Sequence, residues 1–163
     1  MAYTFELALE CGSKREDALR LGKHFDGFEI HIPETTGSFL SICRFACWQD
    51  SELNWWCSVL PSNVSQGDAN NKITTGEQLM IVAQNLYQRL KSAPSFRYAV
   101  VGNEVTPFDT FSQLMEKKGI SHEPFPGLVL SFAVWEQLNR PANYVPFSKD
   151  RYWLPIQRAD ISV

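Results

Sequence analysis

Between residues 28 and 61 the chain alternates apolar and polar residues in three successive runs separated by short polar turns. "FEIHIP" places Phe28, Ile30 and Ile32 on one side, with Glu29 and His31 on the other. After "ETTG", the run from Ser38 to Trp48 sets Phe39, Cys43, Phe45 and Cys47 against Leu40, Ile42, Arg44, Ala46 and Trp48. "QDSE" then leads into "LNWWCSVLP". A period of two is the repeat of an extended strand, whose successive side chains point to opposite faces. Turns this short join antiparallel neighbours, because a parallel return needs a crossover of about a dozen residues. The segment therefore predicts a three-stranded antiparallel meander.

Residues 3 to 11, "YTFELALEC", alternate in the same way and predict a half-buried strand. Phe5, Leu7, Leu9 and Cys11 lie on one face, and Thr4, Glu6, Ala8 and Glu10 on the other. Ser13 and Glu16 have capping-box spacing ahead of a short helix that stops at Gly22. A second helix starts at Thr74 (with Glu77) or at Thr75 (with Gln78); Leu79, Ala83, Leu86 and Leu90 form its stripe, and Pro94 lies beyond its end. "FRYAVVGNE" reads as a strand, and Thr106-Pro107 opens a third helix that Lys117-Lys118-Gly119 closes. "GLVLSFAVWEQL" reads as strand in its first half, and "YVPFSKDRYWLP" as a hairpin turning at Ser148 to Asp150. Turn formers crowd residues 61–73, read as a mobile loop, and nothing in 158–163 holds that tail against fraying. The expectation is one α+β domain over residues 1–163. It is a two-layer sandwich in which a mainly antiparallel sheet, built from the N-terminal strand, the central meander and the C-terminal strands, packs with two to three helices.

At 163 residues such a domain buries roughly 70% of the surface of its unfolded chain. Fifteen basic against eighteen acidic residues leave a net charge of −3, without the concentrated positive patch that nucleic acid or an anionic membrane requires. No run approaches the roughly 18 apolar residues of a membrane span. "MAYTFELALE" carries acids where a signal peptide has bases, so the chain reads as cytoplasmic and its four cysteines as reduced thiols.

Residues 43 to 60, "CRFACWQDSELNWWCSVL", hold three of the four cysteines and three of the five tryptophans. Cys43, Cys47 and Cys57 with His31 number four zinc-ligand types. Structural zinc, however, favours two close pairs on tight turns, and here the single pair points inward beside Phe39 and Phe45. These thiols read as core, with no metal and no cofactor. A nucleophilic Cys57 or Cys43 needs a histidine beside it, from among His24, His31 and His122, and no redox or elbow motif surrounds either. Glu29 and His31 stand side by side on a strand, a geometry suited to acid–base chemistry or to a solvated ion pair. Trp48 shares its face with Arg44, and one of Trp55 and Trp56 must join them, because consecutive strand residues face opposite ways. That face is either covered by a helix, which makes the tryptophans core, or it is an interface in which Trp and Arg act as hot spots. On the second reading the chain is a non-catalytic protein-binding module of inhibitor or immunity type. It contacts another protein through Arg44, Trp48 and Trp56, with Glu6, Glu10, Glu29 and His31 around them. The alternatives are a small hydrolase-like enzyme using His31 with Glu29, or Cys57, and a homo-oligomeric structural subunit that buries the aromatic face against itself.

Overall fold

The structure, a computed structural model, describes residues 3–106, 108–117 and 125–161. Its strands are β1 (Phe5–Glu10), β2 (Glu29–Pro33), β3 (Ser38–Gln49), β4 (Trp55–Pro61), β5 (Tyr98–Asn103), β6 (Val129–Ser131), β7 (Val145–Ser148) and β8 (Arg151–Trp153). They form one sheet in the order β2-β3-β4-β1-β5-β6-β8-β7, every neighbouring pair antiparallel. The meander is present as β2-β3-β4. The twelve residues of β3 serve two partners, Ser38–Ile42 pairing with β2 and Cys43–Gln49 with β4. Both edge strands are short and carry a proline, Pro33 in β2 and Pro146 in β7, which blunts edge-to-edge association.

Helices lie over both faces. The two longer ones, α1 (Arg15–Phe25) and α2 (Gly76–Leu90), pack on the face formed by Phe5, Leu7, Leu9, Cys43, Cys57, Val59, Ala99 and Val101. Burying Leu21 and Phe25 completely in this layer contributes about 1.5–3 kcal/mol each. The shorter helices, α3 (Phe111–Glu116) and α4 (Phe132–Gln137), send Leu114 and Val134 into a second cluster on the opposite face, with Ala8, Trp56, Tyr98, Val100 and Leu130. The fold class is the expected α+β antiparallel one, with a further apolar layer beyond the two expected. In consequence β1 is buried along its whole length, where its alternation predicts a half-wet strand.

Capping boxes differ in how they turn out. Thr75 resolves the start of α2, its hydroxyl accepting from the Gln78 N–H while the Gln78 side chain accepts from the N–H groups of Thr74 and Thr75. The Ser13–Glu16 spacing forms no cap: Lys14 precedes α1 and caps nothing with its side chain. Nor does α1 stop at Gly22. A Cβ there would run into the Phe45 ring, so the bare backbone lets the helix settle on β3. The third helix starts later than Thr106, capped by Thr110 with Gln113; Pro107, Lys118 and Gly119 lie outside the described residues. "GLVLSFAVWEQL" splits into β6 followed directly by α4, with the Ser131 hydroxyl accepting from the Val134 N–H. β7 and β8 form the terminal hairpin. In 61–73, Val64 and Ile73 are buried, and the Ser65 hydroxyl accepts from the Phe5 N–H. In the tail Ile161 is buried, and the Arg158 guanidinium lies against Gly76. Among the described residues no helix is long and apolar enough to cross a membrane.

Candidate functional site

Cross-strand register arranges the face under α3 and α4 into rows. One row runs Trp48–Trp56–Glu10–Tyr98–Leu130 across five strands. The two indoles stack with centroids 5.3 Å apart, and the Tyr98 ring meets Trp56 edge-on at 5.5 Å. The Trp56 indole N–H donates to Asp50 at 2.8 Å, and that of Trp48 to the Ser58 hydroxyl at 3.2 Å. Of the two tryptophans that strand phasing leaves open, Trp56 is the one that joins Trp48, but it is 1% exposed and belongs to the second apolar cluster.

Glu10, in the same row, is completely buried. Two nitrogens of Arg97 hold its two oxygens at 2.5 Å, and the Gly12 N–H donates to it at 3.1 Å. The Arg97 guanidinium lies 3.9 Å over the Phe111 ring of α3. Glu52, in the β3–β4 turn, accepts from the Thr110 hydroxyl and the Ser112 N–H, fastening the start of α3. The Thr110 bond holds its carboxyl below the ordinary range. Glu6, on the same face of β1 and opposite Gly102 of β5, is buried as well. Trp56 belongs to the second core, Glu10 lies in its row and Glu6 is buried as well, so none of the three is presented at the surface. The Arg97 partnership has no signal in the sequence. The pair is 87 residues apart, and a glutamate in an alternating strand has the pattern of a wet face whether or not a helix later covers it.

The short helices leave the β2–β3 end of this face open. Leu40 and Ile42 of β3 and Leu60 of β4 are half-buried and belong to neither apolar cluster. Around them Glu29, His31, Arg44 and Ala46 are exposed. His31 pairs in register with Leu40, Glu29 with Ile42, and Arg44 with Leu60. Arg44, its side chain 67% exposed, reaches Asp26 at 3.4 Å. Trp48 is half-buried. Of the predicted contact residues, this patch keeps Arg44, with Glu29 and His31 from the rim.

The thiols lie on the other face. Cys43 and Cys57 are completely buried among the side chains under α1 and α2. Burial pushes the Cys43 thiol up to about 12, and those of Cys11 and Cys57 higher still, so none of the three is a ready thiolate. His31 projects from the opposite side of the sheet, so it does not meet Cys57. His24 binds the Arg89 carbonyl through Nε2 at 3.0 Å, and His122 lies outside the described residues. Among the described residues no group of three His, Cys, Asp or Glu side chains could hold a metal ion. The chain matches no protein-family model, no curated protein and no solved structure.

Proposed function

We propose that this protein is a non-catalytic binding module that takes another protein on the open β2–β3 end of its sheet. The observation that carries the reading is the apolar strip Leu40, Ile42 and Leu60, left outside both cores and bordered by exposed Arg44, Glu29 and His31. An apolar centre with a polar rim and an arginine is the composition of an interface. An antiparallel sheet with one face buried commonly sets polar residues on the other, and here leucine and isoleucine stand together in that place. The four unpaired cysteines suit a reducing, cytoplasmic setting for such a partner.

The experiment is affinity capture with quantitative mass spectrometry, comparing wild type with Ile42→Lys and Arg44→Glu, each checked for folding by circular dichroism. A stoichiometric protein retained by wild type and depleted at least tenfold by both variants supports the reading. Equal retention by folded variants overturns it. Trp48 is a poor test residue, because its removal takes away the stack on Trp56 as well as any contact. A wild-type mass that doubles with concentration, and stays single in Ile42→Lys, would identify a second copy of the chain as the occupant and reject the hetero-partner reading.

A further inference from the structure

We propose that Cys47 and Cys57 are a dithiol modification site, which a low-mass disulfide oxidises to a reversible cross-link between β3 and β4. The two residues are direct partners in the ladder, on the face under α1. Their pair type is fixed by the hydrogen bonds at the two ends of the ladder. The Asp50 N–H donates to the Asn54 carbonyl at 3.0 Å, and the Ser62 N–H donates to the Ile42 carbonyl at 3.1 Å. Antiparallel pairs alternate between hydrogen-bonded and non-bonded, and the register is unbroken from Cys43 to Gln49. Bonded pairs at positions 42 and 50 therefore make 44, 46 and 48 bonded, and 43, 45, 47 and 49 non-bonded. Cys47–Cys57 is of the closer kind, with Cα atoms about 4.5 Å apart, at the short end of the disulfide range.

The third nearby thiol is excluded by the same reasoning. Cys11 lies two positions beyond Leu9 of β1, the direct partner of Cys57, so it stands diagonally to Cys57. Diagonal Cα atoms are about 7–8 Å apart, beyond what a disulfide spans without moving the backbone. Cys43 lies a further turn of the pleat away, beside Pro61.

Access divides the roles. Cys47 is half-buried whereas Cys57 is completely enclosed, so only Cys47 meets a reagent from solution. Burial raises the Cys47 thiol, while its hydrogen bond with Cys57 and the nearby Arg15 work in the opposite direction. The Cys47 thiolate attacks one sulfur of the small disulfide, forming a mixed disulfide and expelling one thiolate. The Cys57 sulfur, losing its proton, then attacks the Cys47 sulfur and expels the second. Two electrons and two protons pass from the protein pair to the reagent, which leaves as two thiols. In this closer class the opposed Cβ atoms sit at about 4.5 Å, the wide end of the disulfide range, so a small turn of the two side chains closes the bond. Cys47 stays half-buried, so the bond remains within reach of a small thiol, which makes the modification reversible.

The test uses oxidised glutathione on the folded full chain, followed by alkylation, digestion without reductant and mass spectrometry. The expected product is a peptide pair linked through Cys47 and Cys57, formed equally in Cys11→Ala and removed by reduced glutathione. Cys57→Ala should stop at glutathione on Cys47. Should that core variant misfold, Cys47→Ala must leave Cys57 unmodified. Stable glutathione on Cys47 of the wild type without a cross-link overturns the proposal, as does a link through Cys11 or resistance of all four thiols until denaturation. These outcomes do not depend on the protein-binding reading, because the dithiol lies on the other face of the sheet.

Discussion

Arg97 keeps 31% of its side chain in water while its guanidinium holds Glu10, which keeps none. The geometry is bidentate, the Gly12 N–H adds a third bond to the carboxylate, and Phe111 covers the flat of the guanidinium. Such a pair shows its weight when one partner is removed, since the remaining charge is then buried without compensation. Arg97→Met should therefore cost about 3 kcal/mol, read as a fall in the urea midpoint at unchanged slope. Glu10→Leu added to it should restore most of the loss, because the row then closes as an apolar strip from Trp56 to Tyr98. Single and double variants that add without coupling would show that the two side chains do not act as a pair. Glu10 also marks where local pattern stops being informative. Glu10 and Glu29 occupy equivalent polar positions in alternating strands, yet one is enclosed and the other exposed. The difference is made by residues about a hundred positions later, which no local pattern contains.

At the scale of elements, legibility tracks the range of the interaction. The meander, a capping box at the start of α2 and the terminal hairpin are set by contacts between near neighbours, and all are legible in the sequence, although the structure decides between Thr74 and Thr75 as the cap. The length of α1 is not, because Gly22 is a helix stop only if nothing needs its missing side chain, and here Phe45, a strand residue twenty-three positions later, does. The start of α3 is likewise set from outside, by Glu52 of the β3–β4 turn. That link titrates. The Glu52 carboxyl is held below its ordinary range by the Thr110 hydroxyl first, with Ser112 assisting. A carboxylate whose pKa is lowered in the folded state stabilises fully above its unfolded value, about 4.3, and the benefit is lost as pH falls through the lower folded value. Glu52→Gln keeps one carbonyl for Thr110 but turns an NH2 toward the Ser112 N–H. Wild type should therefore be the more stable protein at pH 7. The difference in thermal midpoint should begin to shrink below about pH 4 and vanish below the lower folded value, where both proteins carry a neutral side chain. A difference independent of pH would reject the charge as its origin.

Across the whole molecule, the two halves of the sheet meet where β6 is too short for its neighbour. β5 runs on to Asn103, but β6 pairs only with Tyr98 and Ala99. The Glu104 N–H donates to the Thr4 carbonyl, so the even positions of β5 face β1 and the Val101 N–H points toward the β6 side. Continuing the β5–β6 register would bring Val101 opposite Gly127. A side chain of α2 fills that place in the ladder. The Tyr87 hydroxyl accepts from the Val101 N–H at 3.1 Å and donates to the Gly127 carbonyl at 2.8 Å. Gly127 takes a φ of +86°, and a Cβ there would collide with that hydroxyl, so two independent constraints select glycine. The Tyr87 ring also packs against Trp153 of β8 at 5.1 Å, tying α2 to the distal strands. Tyr87→Phe preserves the ring and removes the bridge, leaving a buried donor and a buried acceptor without partners. Each such group costs about 1–3 kcal/mol, so the variant should lose about 2–6 kcal/mol in chemical denaturation. The loss should be accompanied by faster hydrogen exchange at the Val101 amide than at Val100, which faces β1. Unchanged stability, with Val101 still protected, would mean that β5 and β6 close directly on each other and that the hydroxyl is not what joins the halves.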